Sequence, residues 1–163
     1  MKKLIFVRHG KAEDDIPGLS DFERSLTERG KKISKRMAEA FSKKEGSPGL
    51  LLSSPAFRAL ETGLVFAGVT GVSYDKIVLH NNLYFGTNTD KILKLLQTIN
   101  DEIQKVTLFG HNPSFTDAPD ALSETGCGPV PKSGVVCISF KAEKWADVKA
   151  GEGKLEYFLK PDR

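Results

Sequence analysis

The chain has 163 residues, of which 39% are hydrophobic and 28% charged. That is enough for one full-sized core, and a single domain over residues 1–163 is expected. Lys and Arg outnumber Asp and Glu by only 24 to 21, and the pI of about 8.8 comes from scattered lysines, so charge alone gives no reason to expect a nucleic-acid partner. Cys127 and Cys137 form neither a disulfide framework nor a zinc signature, no signal-peptide pattern is present, and no apolar run reaches transmembrane length; a reduced, cytoplasmic protein without a membrane partner is expected.

In chain order, Leu4-Ile5-Phe6-Val7 predicts a buried strand that ends in Arg8-His9-Gly10, with Gly10 placed to turn the chain and bring N–H groups near His9. The polar loop 11–24 carries a Pro17-Gly18 turn. Thr27 is a suitable N-cap for a helix whose apolar face reads Ile33, Met37, Ala40 and Phe41, ending at Gly46 to Gly49. Leu50 to Leu52 predicts a second strand. Ser54-Pro55 then reads as N-cap and first turn of a helix with Phe57, Leu60 and Leu64 inward and Arg58 in its first turn, closed by Gly68 to Gly71. Ile77 to Leu79 is a third strand. Thr89 caps a helix through Ile92, Leu93, Leu96 and Ile99, and Val106 to Phe109 is a fourth strand ending in Gly110-His111-Asn112-Pro113. A helix from Pro113-Ser114 should kink or end early at Pro119. The Gly- and Pro-rich stretch 126–134 is a loop, and 135–140 with 155–159 forms a closing strand pair, with Cys137 in the core. Alternating strands and helices predict a three-layer α/β sandwich: a mostly parallel central sheet with helices on both faces and an antiparallel edge.

In such a sheet, ligands bind beyond the strand C-termini. Arg8 and His9 follow strand one, Arg58 follows strand two and His111 follows strand four, so a parallel sheet brings them to one edge. Two guanidiniums match the oxygens of a dianion in pairs, and Gly10, Gly110 and the helix start at Pro113 add N–H donors. Two imidazoles go beyond anion binding. A neutral one is a nucleophile at phosphorus, and a second, if protonated, holds the phosphoryl oxygens as charge develops.

The same residues resemble the histidine phosphatase superfamily, which includes the cofactor-dependent phosphoglycerate mutases. Arg8-His9-Gly10 followed by Lys11-Ala12 is similar to its defining motif, the stretch from Ser53 to Thr62 to its second, and Gly110-His111 to its third. The short chain, the stretch from Asp21 to Thr27 with Gly30, and Gly110-His111-Asn112-Pro113 resemble the small bacterial phosphohistidine phosphatases of the SixA type, in matching order from Lys3 to about Phe140. The resemblance implies a phosphoglycerate mutase-like fold, with His9 as the nucleophile that becomes phosphorylated. Arg8 and Arg58 would clamp the phosphoryl group, and His111 would stabilise the transition state. Arg24, which matches the arginine before the leucine-threonine of the small-phosphatase motif, would be a further phosphate or substrate contact, against the plainer reading of a solvated loop arginine; Asn112 and Gly10 are also expected as phosphate contacts. It implies no metal and no cofactor. The substrate would be a phosphohistidine on a protein, such as a His-containing phosphotransfer domain, or a small phosphorylated molecule.

Many members of the superfamily carry an acidic proton donor in the loop after the third strand. Here the stretch from His80 to Asn88 has none, as in SixA-type proteins, and His80 is the one ionisable substitute near neutral pH. Three other readings compete. A sugar-phosphate phosphatase or phosphoglycerate mutase is disfavoured by the missing acid and by the lack of a cap insertion. A non-catalytic phosphate-binding module keeps the same residues. A metal hydrolase on His9, His111 and one of Glu13, Asp14 or Asp15 is disfavoured by arginines beside the histidines.

Overall fold

The structure, a computed structural model, describes residues 1–162. Strands β1 (Lys2–Arg8), β2 (Leu50–Ser53), β3 (Val78–Leu79), β4 (Lys105–Gly110), β5 (Val135–Phe140) and β6 (Lys154–Leu159) form one sheet in the order β3-β2-β4-β1-β5-β6. The first four are parallel to one another, and β5 runs antiparallel to both β1 and β6. The expected α/β sandwich with a mostly parallel sheet is what forms.

Alternation along the strands divides the core in two. Leu4 and Phe6 of β1 face one side, with Val106 and Leu108 of β4, against helices α3 (Thr89–Leu96) and α4 (Ser114–Leu122). Ile5 and Val7 face the other, with Leu51 and Phe109, against α1 (Glu28–Glu45) and α2 (Phe57–Thr70). A strand buried on both faces must be apolar at every position, which is why Leu4 to Val7 is an unbroken apolar run. Cys137 lies in this core, fully buried. Among the described residues no helix is long and apolar enough to cross a membrane.

Several local expectations need correction. Thr27 does cap α1, its hydroxyl accepting from Gly30 N–H at 2.9 Å, but the buried face carries Ala38 in place of Ala40. Ser54 is not the N-cap of α2. The helix begins at Phe57, and its inward face is Arg58, Ala59, Thr62, Gly63, Phe66 and Ala67, while Phe57 is exposed. Turning Arg58 inward rotates Phe57 out, and small residues let α2 lie close on β4. Asn88, not Thr89, caps α3 by accepting from Lys91 N–H at 2.9 Å, and α3 ends at Leu96, so Ile99 packs from the following turn. Helix α4 continues past Pro119 to Leu122, because proline forfeits only its own donor and the buried face of Phe115, Ala118, Pro119 and Leu122 holds the turn in place.

Candidate active site

Strand register sets the site. Arg8 is paired with Gly110 across β1 and β4, so the next residues, His9 and His111, leave the sheet side by side. Their ring centroids lie 5.1 Å apart. On the other flank of β4, Ser54 N–H bonds Phe109 C=O at 2.9 Å, placing the start of the β2–α2 connection, with Arg58 beyond it, over the same edge. The expected convergence of Arg8, His9, Arg58 and His111 is therefore present, in a cavity of about 200 Å³ also lined by Arg24, Asp14, Phe85, Asn112 and Lys132.

His9 is oriented by its neighbour. Its Nδ1 lies 2.7 Å from the Gly10 carbonyl, which can only accept, so Nδ1 carries the hydrogen and Nε2 keeps a free lone pair. Burial and the charges of Arg58, Arg8 and Lys132 push its pKa down to about 4, despite the Gly10 hydrogen bond acting the other way, so the imidazole is neutral near pH 7. Gly10 itself differs from expectation. Its N–H is taken by Thr62 Oγ1 at 3.0 Å and is not offered to an anion. Its backbone is not in the left-handed region; a Cβ there would lie 2.5 Å from Ser34 Oγ, so glycine is required by close packing.

His111 is set by Ser54. Nε2 lies 2.8 Å from Ser54 Oγ, which also accepts from Ala56 N–H at 3.2 Å. The hydroxyl has no other acceptor for its hydrogen among the described residues, so it donates to His111 Nε2, and the ring hydrogen is assigned to Nδ1. Burial, then the charges of His9 and Arg58, depress this imidazole to about 3, so its donor is a neutral N–H rather than the imidazolium considered from the sequence.

The guanidiniums are held by main chain and by an acid that sequence reasoning gave no role. Arg8 Nη1 donates to Val130 C=O at 3.0 Å. Arg58 donates from Nη1 to Asp21 C=O (2.7 Å) and from Nη2 to Asp21 Oδ2 (3.0 Å). Asp21 also accepts from Arg24 Nη2 at 2.8 Å and from Tyr84 Oη at 2.7 Å. These donors outweigh desolvation and hold its carboxyl down to about 2. Arg24 thus reaches the cavity with much of its fork already engaged, its Nη1 on Glu13 C=O. Asn112 lines the cavity, but its amide bonds Val130 C=O and Thr116 Oγ1. His80 does not line it; its ring accepts from Asn82 N–H within its own loop. Asp21 had one signal in the sequence, its place three residues before Arg24. Lys132, Tyr84 and Phe85 had none, since loop geometry alone brings them in.

Among the described residues four buried side-chain polar atoms lack a hydrogen-bond partner, and three of them are Arg8 Nε, Arg58 Nε and His111 Nδ1. Each such donor costs about 1–3 kcal/mol in isolation. All three belong to residues that line the one small cavity, which fits a ligand rich in acceptor oxygens.

The fold and this pair of histidines between arginines define a class of phosphoryl-transfer domain. The sequence profile of the histidine phosphatase superfamily, branch 1, matches residues 4–103, and the chain belongs to that superfamily. No curated protein sequence matches the chain. Among solved structures it is similar to a protein of Agrobacterium tumefaciens provisionally assigned as phosphohistidine phosphatase SixA, with 26% identity, 99% of each chain covered and a TM-score of 0.81. A protein histidine phosphatase SixA complexed with tungstate shares the fold at 20% identity, with 98% of this chain and 97% of that chain covered and a TM-score of 0.82. So does a mycobacterial glucosyl-3-phosphoglycerate phosphatase complexed with VO3, at 16% identity, 96% and 98% coverage and a TM-score of 0.71.

The depressed histidines have a consequence for stability. Both bind a proton more weakly in the folded chain than in the unfolded one, where the ordinary value is 6.5. Below about pH 6.5 the unfolded state takes up more protons, so stability falls with pH until the folded histidines themselves titrate, near 4 and 3. The melting temperature is expected to drop by roughly 5–15 °C between pH 7 and pH 4. His111→Asn should flatten that slope in calorimetry across the same range; an unchanged slope would mean that other groups carry it.

Proposed function

We propose that the chain is a phosphohistidine phosphatase of the SixA type. The observation that carries the reading is the trio of unpartnered buried donors on residues that line the same cavity as a neutral, oriented His9. In this reading His9 Nε2 forms a bond to phosphorus as the P–N bond of the incoming phosphohistidine breaks. The departing ring nitrogen takes a proton from solvent. Arg8, Arg58 and His111 Nδ1 hold the equatorial oxygens, where charge accumulates. Water then attacks the phosphoryl group on His9, and phosphate leaves as the new P–N bond breaks.

Three features support a protein-borne phosphohistidine. A solved structure at 26% identity, aligned over 99% of each chain, carries that provisional assignment. The cavity of about 200 Å³ lies below the roughly 300 Å³ at which small-molecule pockets begin, so it admits a phosphoryl group while the rest of the substrate stays outside. The loop from His80 to Asn88 offers no acid, and Asp21 is ionised and fully engaged, so the site suits a leaving group that solvent can protonate.

A second reading rests on Asp14, a carboxylate that lines the cavity. If it serves as proton donor, phosphate esters of sugars become substrates. The test compares kcat/KM for a phosphohistidine peptide with that for a phosphoserine peptide of the same sequence, after subtracting uncatalysed loss of the former. A ratio of at least about 100 in favour of phosphohistidine is expected, given that a positioned acid contributes about 10²–10⁴ to ester cleavage. Comparable rates, with ester hydrolysis lost in Asp14→Asn, would replace the proposal with the sugar-phosphate reading.

A further inference from the structure

Phe85 is a large apolar side chain left 54% exposed, and it is the one phenylalanine, tyrosine or tryptophan among the residues lining the catalytic cavity. Its ring centroid lies 5.4 Å from the His111 ring, and Arg58 Cζ lies 5.6 Å from that centroid. The rest of the lining is almost wholly polar or charged. The ring is also held in place. Tyr84, whose ring lies 4.7 Å from Phe85, is tied through its hydroxyl to Asp21 at 2.7 Å. On the other side, Gly86 takes a left-handed turn (φ +81°) and its carbonyl accepts from Lys91 Nζ at 2.9 Å. An exposed aromatic ring anchored at both ends beside a phosphoryl site is a preformed surface for something flat and apolar.

We infer that Phe85 is a specificity residue, the wall against which the flat ring of the leaving group packs while its phosphoryl group sits among Arg8, His9, Arg58 and His111. The inference rests on phosphoryl transfer to His9 and narrows the proposed function to the reason for its substrate choice. The donors in the cavity recognise phosphoryl oxygens and are indifferent to what is attached. Phe85 supplies the discrimination, favouring an imidazole or phenyl ring over an alkyl chain or a bare amine.

The experiment compares Phe85→Ala with the unaltered protein on three substrates: a phosphohistidine peptide, phenyl phosphate, and inorganic phosphoramidate, which has a P–N bond and no ring. For each substrate the ratio of variant to parent kcat/KM is read, which cancels intrinsic reactivity. A fall of about tenfold on the two ring-bearing substrates, with phosphoramidate within about twofold, is expected for loss of one aromatic contact. Phe85→Tyr and Phe85→Trp should restore the ring-bearing rates. An equal fall on all three would show that Phe85 merely supports His111 and Arg58, and no fall on any would remove it from the site; either overturns the inference. Failure of the proposed function reads differently. The parent protein would then leave phosphohistidine unhydrolysed, while the selective effect of Phe85→Ala on phenyl phosphate would still decide the role of the ring.

Discussion

His9→Asn is expected to lower kcat by at least about 10⁴-fold, the scale seen when a covalent nucleophile is removed from a site whose other parts remain. Asparagine keeps a polar group near the Gly10 carbonyl and fills much of the imidazole space, so the fold should persist; an unchanged melting temperature at pH 8, where both histidines are neutral, is the control. Rapid quench with labelled substrate should show acid-labile, base-stable phosphate on the parent protein and none on the variant. The pH profile adds an independent readout. His9 is depressed to about 4 by burial and nearby arginines. The acid limb of kcat/KM due to the free enzyme should therefore lie near pH 4, not near the ordinary 6.5, once ionisation of the substrate phosphoryl group is allowed for. Label on serine or aspartate, or a variant that keeps its rate, would end the assignment of His9.

Much of this site was legible because its parts sit at strand ends. An apolar run, a turn and a histidine mark such an end twice, after Val7 and after Phe109, and the β1–β4 register then puts the two imidazoles together without further information. Elements whose apolar period is unbroken, such as β1 and β4, were placed to within about two residues. What was lost lies where tertiary contacts override local signals. Ser54 has the chemistry of an N-cap, but the nearby His111 Nε2 offers its hydroxyl a better partner than a helix start would. Phe57 reads as a core residue, yet the helix is rotated so that Arg58 can reach Asp21. Gly10 looks like a turn glycine and proves to be a contact glycine beneath Ser34 and Ser133. Asp21, Tyr84, Phe85 and Lys132 come from three separate loops, and no periodicity links residues that meet only after folding.

The arginine at the centre of these contacts leads to the last expectation. Arg58 is almost completely buried (1% exposed), with Nη1 and Nη2 each spending one hydrogen on Asp21. Nε and the second hydrogen of each Nη remain for an anion, and Nε is one of the orphaned donors. Vanadate or tungstate present at 100 times its Kd should stabilise the protein by about 2.7 kcal/mol through mass action, a rise in melting temperature of roughly 5–10 °C. Arg58→Ala is expected to abolish that rise and to lower kcat/KM by about 10²–10³-fold, as removal of a preorganised donor at developing charge does. Truncating a buried side chain also threatens the fold, so Arg58→Lys serves as the second variant. It keeps the charge and much of the volume but loses the planar fork, and should retain a reduced anion shift with a rate still far below that of the parent. Arg24→Ala should cost less than either, because Arg24 already spends its fork on Asp21 and Glu13. Asp21→Asn would loosen Arg58 without removing it, so its effect should fall on kcat more than on anion affinity. An anion-induced rise that survives Arg58→Ala intact would place the oxyanion elsewhere, and with it the phosphoryl site.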